Sequence, residues 1–204
     1  MTGDPQLIGI LGGTFDPVHH AHLRCALDLQ EQLRLAELRF MPLGTAVHRS
    51  QPQADAAQRL AMLQRATADL SGVVIDDREL RRGGPSYSID TLRTLRTELG
   101  ADTPLCWIMG SDAFQHFLSW RRPDEILGLA HLVVMHRPGY HLPEDAQLQR
   151  LVEHHRSDLP GELHQAPGGY ILFAPVTRLE ISATDLRQRL AQVGGGDLQP
   201  GHRG

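Results

Sequence analysis

The sequence predicts an α/β protein: a doubly wound, Rossmann-like parallel sheet covered by helices on both faces. Three features predict it. Six short apolar runs recur along the chain, and most lead into a segment with apolar residues at helical spacing. The first run ends on a glycine pair, the mark of a strand turning sharply into a helix. A length of 204 residues with 41% apolar content suffices for one buried core.

Taken in order, "LIGIL" (7–11) reads as a buried strand closed by Gly12-Gly13. Residues 20–34 read as a helix, with Leu23, Ala26, Leu27 and Leu33 roughly on one face. "LRFMPL" (38–43) is the second strand, and 55–70 a helix spacing Leu60, Leu63 and Leu70. "VVIDD" (73–77) is the third strand, followed by a helix at 87–99 carrying Ile89, Leu92, Leu95 and Leu99. "PLCWIMG" (104–110) is the fourth; a short helix and another at 123–129 separate it from the fifth, "HLVVMHR" (131–137). Residues 138–169 are rich in Pro, Gly and charge and read as an irregular insertion with some helix. "YILFAPV" (170–176) is the sixth strand, and 182–192 the last helix. Residues 1–193 are expected to form one domain, with 194–204 a loose, Gly-rich tail. Right-handed crossovers give a doubly wound sheet. In its common order the first and fourth strands are neighbours at the switch point, and ligands bind beyond their carboxyl ends.

Composition excludes several functions. A formal charge of −4 gives no general affinity for nucleic acid or anionic membrane. No apolar stretch approaches a membrane span, and the N-terminus lacks a basic region followed by a long apolar one. Cys25 and Cys106 read as buried thiols of a reducing cytosol, so a cytoplasmic location is expected. The chain has no lysine. That removes a Walker A lysine, a Schiff base and a lysyl-adenylate. Phosphate chemistry would fall to Arg, His and backbone N–H groups.

The two strands at the switch point lead into "GGTFDPVHHAH" (12–22) and "GSDAFQHF" (110–117). Gly12-Gly13 allows a tight turn and close approach of a phosphate, although no G-x-G-x-x-G is present. His19 and His22, three apart at a helix start, project from one face. The helix dipole there disfavours imidazolium, and a bound phosphate reverses that preference. Three readings compete for them: structural histidines, a zinc site completed by Asp16 or His20, and a phosphate site. Downstream, "RLEISATDLRQRL" (178–190) places Ser182 before Asp185 like a capping box. Thr184 and Arg187 add a hydroxyl and a guanidinium suited to an anion cradle.

These motifs resemble the two signatures of the nucleotidyltransferase superfamily that shares an HxGH element with class I aminoacyl-tRNA synthetases: "GGTFDPVHHAH" the first and "ISATDLR" the second, ISxTxxR. Synthetases carry a lysine-rich loop at the second place, which a lysine-free chain excludes. The closest resemblance is to the bacterial nicotinate-nucleotide adenylyltransferase family. "PLGTAVHR" (42–49), "DDRELRRGGPSYSIDTL" (76–92), "GSDAFQHFLSW" (110–120) and "HLVVMHRPGY" (131–140) stand in that family's order over most of the chain. The chain departs from it at Ala21, where HxGH has glycine, at "TAV" before His48, at Ser88 in "SYS", and in its tail.

The resemblance implies a fold of nucleotidyltransferase type and adenylyl transfer from ATP to nicotinate mononucleotide, in NAD biosynthesis, with no covalent enzyme intermediate. His19, His22 and Arg187 would be catalytic. Gly12, Gly13, Thr14 and Phe15 would border the α-phosphate, Ser182 and Thr184 the outer phosphates, and Gly110 and Asp112 the adenosine. His48, Arg49 and Arg137 would meet the mononucleotide phosphate or the growing dinucleotide. Trp120 offers a flat face for the pyridine ring or a core side chain, and Tyr87 and Ser88 either receive the nicotinate carboxylate or cap a helix. Mg²⁺ is expected with the ATP phosphates and not on protein ligands. Alternatives are nicotinamide mononucleotide, phosphopantetheine or glycerol phosphate as acceptor, a metal hydrolase, and a nucleotide sensor without catalysis. A monomer and a homodimer both fit.

Overall fold

The computed structural model describes residues 6–45, 52–142 and 144–176. Six strands form one parallel sheet: β1 (Ile8–Gly13), β2 (Glu37–Pro42), β3 (Val73–Ile75), β4 (Leu105–Gly110), β5 (His131–His136) and β6 (Ile171–Pro175). Their order is β3-β2-β1-β4-β5-β6, the doubly wound order with its switch point between β1 and β4. Ile8 pairs with Glu37 on one side and Leu105 on the other, so β1 and β4 end together.

The strands are apolar throughout because both faces are covered. Ile8, Ile10, Leu105, Trp107, Met109, Leu132 and Val134 enter one core. The alternate residues Leu7, Leu11, Cys106, Ile108 and Val133 enter the other. Helices α1 (His20–Gln32) and α2 (Ala56–Thr67) cover the second face through Ala26, Leu29 and Leu63. Helices α4 (Ser88–Leu99), α5 (Ser111–Phe114), α6 (Pro123–Leu129) and α7 (Ala146–His155) serve the first through Ile89, Leu92, Phe114, Ile126 and Leu148.

Two helices were not separately expected. Helix α3 (Arg78–Arg82) is a five-residue turn after Asp77, too short for periodicity to reveal. Helix α7 is the helical part of the 138–169 insertion; Asp145 caps it by accepting from the N–H groups of Gln147 and Leu148, both at 2.9 Å. At the amino end of the sheet, buried His131 accepts from the Tyr170 N–H through Nδ1, so Nε2–H donates to the Ala166 carbonyl. The last expected helix (182–192) and the tail lie outside the described residues.

Candidate active site

A cavity of about 500 Å³ opens at the carboxyl ends of β1 and β4. Gly12 and Gly13 form one wall, Gly110, Asp112 and His116 another, and Tyr87, Ser88 and Trp120 a third. Trp107 is 3% exposed and forms the floor; a Cβ on Gly12 would lie 3.5 Å from its ring. Gly13 has a stricter reason to be glycine: a Cβ there would stand 2.8 Å from the Phe15 ring.

Phe15 organises the turn after β1. Its ring is 2% exposed and packs against Phe40, so its backbone is what it can offer a ligand. Its φ of 49° is uncommon for a residue with a side chain and is sustained by that burial. The same ring meets His22 edge-on at 5.3 Å between centroids. His22 in turn stacks on His19, at 3.7 Å and 19° between planes. A continuous line of contacts, Gly13–Phe15–His22–His19, thus joins the cavity wall to the start of α1.

His19 is the N-cap of α1 and donates its backbone N–H to His22 Nδ1 at 3.3 Å. In neutral His22 the proton therefore resides on Nε2, the nitrogen that can donate to an oxygen ligand. Burial holds the His19 imidazole below the ordinary histidine range, and His20 adds to that; its own backbone works the other way. Its Nδ1 is buried with no hydrogen-bond partner among the described residues.

The turn is tied to the segment between β2 and α2. Arg59, 1% exposed on α2, donates to the carbonyls of Thr14 at 2.8 Å and Leu43 at 2.9 Å. Asp16 accepts from the N–H groups of Gln53 at 2.7 Å and Ala54 at 3.1 Å. Gly44 donates to Ser86 Oγ at 3.0 Å, linking the same segment to the cavity wall. Among the described residues no three His, Cys, Asp or Glu side chains gather to hold a metal.

The cytidylyltransferase-like family model matches residues 10–189. A Methylococcus capsulatus protein named "Probable nicotinate-nucleotide adenylyltransferase" is 47% identical over 187 residues, covering 91% of this chain and 89% of that one. A Pseudomonas fluorescens protein of the same name is 48% identical over 185 residues, covering 90% and 86%. The chain belongs to the nicotinate-nucleotide adenylyltransferase family, within the cytidylyltransferase-like proteins.

The fold agrees with this family. Plasmodium falciparum nicotinic acid mononucleotide adenylyltransferase complexed with NaAD superposes with a TM-score of 0.66 at 17% identity, covering 90% of this chain and 83% of that one. The same Plasmodium enzyme complexed with APC gives 0.62 at 17% identity, again covering 90% and 83%.

Of the residues singled out from sequence, Gly12, Gly13, Tyr87, Ser88, Gly110, Asp112 and Trp120 line one cavity. Tyr87 is the N-cap and Ser88 the first residue of α4, and no side chain caps that helix. Trp120 both lines the cavity and packs on the core, at 5.7 Å from Phe117. Thr14, Phe15, His19 and His22 stand beside the cavity in the adjoining turn. Arg137 is exposed just beyond β5 and does not line it; its charge reaches Cys25 on α1. His48, Arg49, Ser182, Thr184 and Arg187 lie outside the described residues. Sequence reasoning missed Trp107, His116 and Arg121 as cavity residues, and Arg59 as the clip behind the turn. Trp107 reads as one more apolar strand residue and Arg59 as a polar helix position. His116, inside the singled-out stretch 110–117, and Arg121, adjacent to Trp120, each carried a signal.

Proposed function

We propose that this protein transfers the adenylyl group of ATP to nicotinate mononucleotide, releasing pyrophosphate. The observation that carries the reading is the cavity at the β1–β4 switch point. There, glycine turns suited to phosphate and an adenosine-side carboxylate face an aromatic wall across one space of about 500 Å³.

The reaction needs no enzyme nucleophile. An oxygen of the mononucleotide phosphate attacks the α-phosphorus of ATP; the new P–O bond forms as the α–β bridge breaks, and pyrophosphate carries off the electron pair. Burial pushes both thiols, Cys25 and Cys106, upward in pKa, so neither is a ready thiolate. The protein's task is to bring two polyanions into line and stabilise the charge that develops.

The backbone of Gly12, Gly13, Thr14 and Phe15 borders the α-phosphate. His22 donates to it from Nε2, the tautomer that the His19 N–H selects. His19 starts neutral and gains a proton as phosphate charge arrives beside it. Gly110 and Asp112 hold the adenosine, with the carboxylate accepting from ribose hydroxyls. Trp120 supports the pyridine ring, and the uncapped first turn of α4 at Tyr87 and Ser88 receives the nicotinate carboxylate. From the family motif, Ser182, Thr184 and Arg187 take the β- and γ-phosphates, and His48, Arg49 and Arg137 the mononucleotide phosphate or the growing dinucleotide. Mg²⁺, expected to come with ATP, would be bound through its phosphates and water and would offset their charge.

The test is a paired acceptor assay: ATP and Mg²⁺ with nicotinate or nicotinamide mononucleotide, following pyrophosphate and dinucleotide. Dinucleotide from nicotinate mononucleotide, in preference to the amide, supports the proposal. ATP binding without product from either acceptor overturns it.

A further inference from the structure

Nicotinate and nicotinamide differ at one group, a carboxylate against a neutral amide, so discrimination calls for a group that responds to that charge. Arg121 is the only arginine among the described residues that line the cavity. It comes directly after Trp120 and gives that wall a positive charge, where Asp112 gives the adenosine wall a negative one. Its guanidinium carbon sits 5.1 Å from the centroid of the Tyr87 ring, a cation–π contact that holds it at the entrance of α4. Asp90 lies 3.6 Å from Arg121 Nη1, longer than a hydrogen bond, and is shared with Arg93 at 3.8 Å. Both carboxylate contacts are loose and solvent-exposed, which leaves the guanidinium positioned more by the aromatic face than by its counter-ion.

From this placement we infer that Arg121 is a specificity-determining residue: its fixed positive charge beside Trp120, Tyr87 and Ser88 favours an acceptor carrying a ring carboxylate over its amide. The inference deepens the proposed function and rests on the cavity being the mononucleotide site. The side chain is 54% exposed, so its effect is that of a solvent-screened partner: a bias between acceptors, not an absolute gate.

The experiment compares kcat/KM for nicotinate and nicotinamide mononucleotide in the wild type, Arg121→Gln, Arg121→Lys and Arg121→Glu. The expected result is that Arg121→Gln lowers the acid-over-amide ratio about two- to fivefold, mainly through KM for the acid. Arg121→Lys restores part of the ratio, and Arg121→Glu lowers it further. KM for ATP serves as the internal control and is expected to move much less than the acid KM. An active wild type whose ratio survives Arg121→Gln and Arg121→Glu overturns the assignment of Arg121 alone. A wild type that makes dinucleotide from neither acceptor overturns the cavity assignment, and this inference with it.

Discussion

Arg59 and Thr14, 45 positions apart in sequence, are joined by a 2.8 Å hydrogen bond from a buried guanidinium to the carbonyl of the turn after β1. The other arm of Arg59 holds Leu43, and Asp16 grips the backbone of residues 53 and 54 from the opposite direction. Burial works against the Arg59 charge, and the carboxylates of Asp16 and Asp55 favour it. Replacing Arg59 by Ala leaves two carbonyls without their donor and opens a void behind the turn. The expected cost is about 3 kcal/mol in urea unfolding, with Lys recovering only part of it because one ammonium cannot span both acceptors.

His22→Ala is expected to lower kcat roughly a hundredfold or more while the circular dichroism spectrum and unfolding midpoint stay near wild type. An unchanged kcat removes His22 from the mechanism.

Trp120→Ala separates the two substrates. Loss of the ring face is expected to raise KM for the mononucleotide about five- to tenfold and KM for ATP much less. Equal effects on both substrates would assign Trp120 to the core alone.

Gly13→Ala places a methyl where the Phe15 ring already sits, 2.8 Å away. Phe15 cannot retreat without leaving Phe40 and His22. A destabilisation of about 1–3 kcal/mol is expected in thermal or urea unfolding, together with a loss of kcat as the turn shifts under the histidine pair.

Stability should fall on the acid side of neutrality. His131 is fully buried with both ring nitrogens engaged, and burial holds its imidazole below the ordinary histidine range, outweighing the bonds to Ala166 and Leu163. His19 is shifted in the same direction, again chiefly by burial. The unfolded chain therefore takes up protons that the native form refuses once the pH drops below about 6.5. Native stability declines from there until the pH passes the depressed native pKa. A second decline begins as the pH falls through the ordinary carboxylate range, about 4. Burial pushes the Asp76 carboxyl upward, but hydrogen bonds from Arg78 outweigh it and hold that group low. Urea midpoints measured from pH 7.5 to pH 3 should show both, and His131→Gln should flatten the first while leaving the second.

Six strands, their order and the cavity at the switch point were legible because parallel strands buried on both faces leave unbroken apolar runs. The turn chemistry of Gly12-Gly13 marks where the first of them ends. The family motifs then named most of the cavity walls. What stayed hidden has a common cause. Trp107 and Arg59 act through three-dimensional neighbours that no local pattern encodes: Trp107 by lying beneath Gly12, and Arg59 by facing inward from its helix to the carbonyls of Thr14 and Leu43. Helix α3 is a single turn and left no periodic trace.

The pairing of Ile8 with Leu105 has a consequence for synthesis. A polypeptide emerging from the ribosome presents its glycine turn and histidines early, but the opposite wall and the floor arrive only with β4, nearly a hundred residues later. Until that loop closes, an entropic cost paid before any contact rewards it, the nascent chain has half a vessel and nothing to retain a nucleotide. No amino-terminal fragment ending before Gly110 can be rescued by adding substrate.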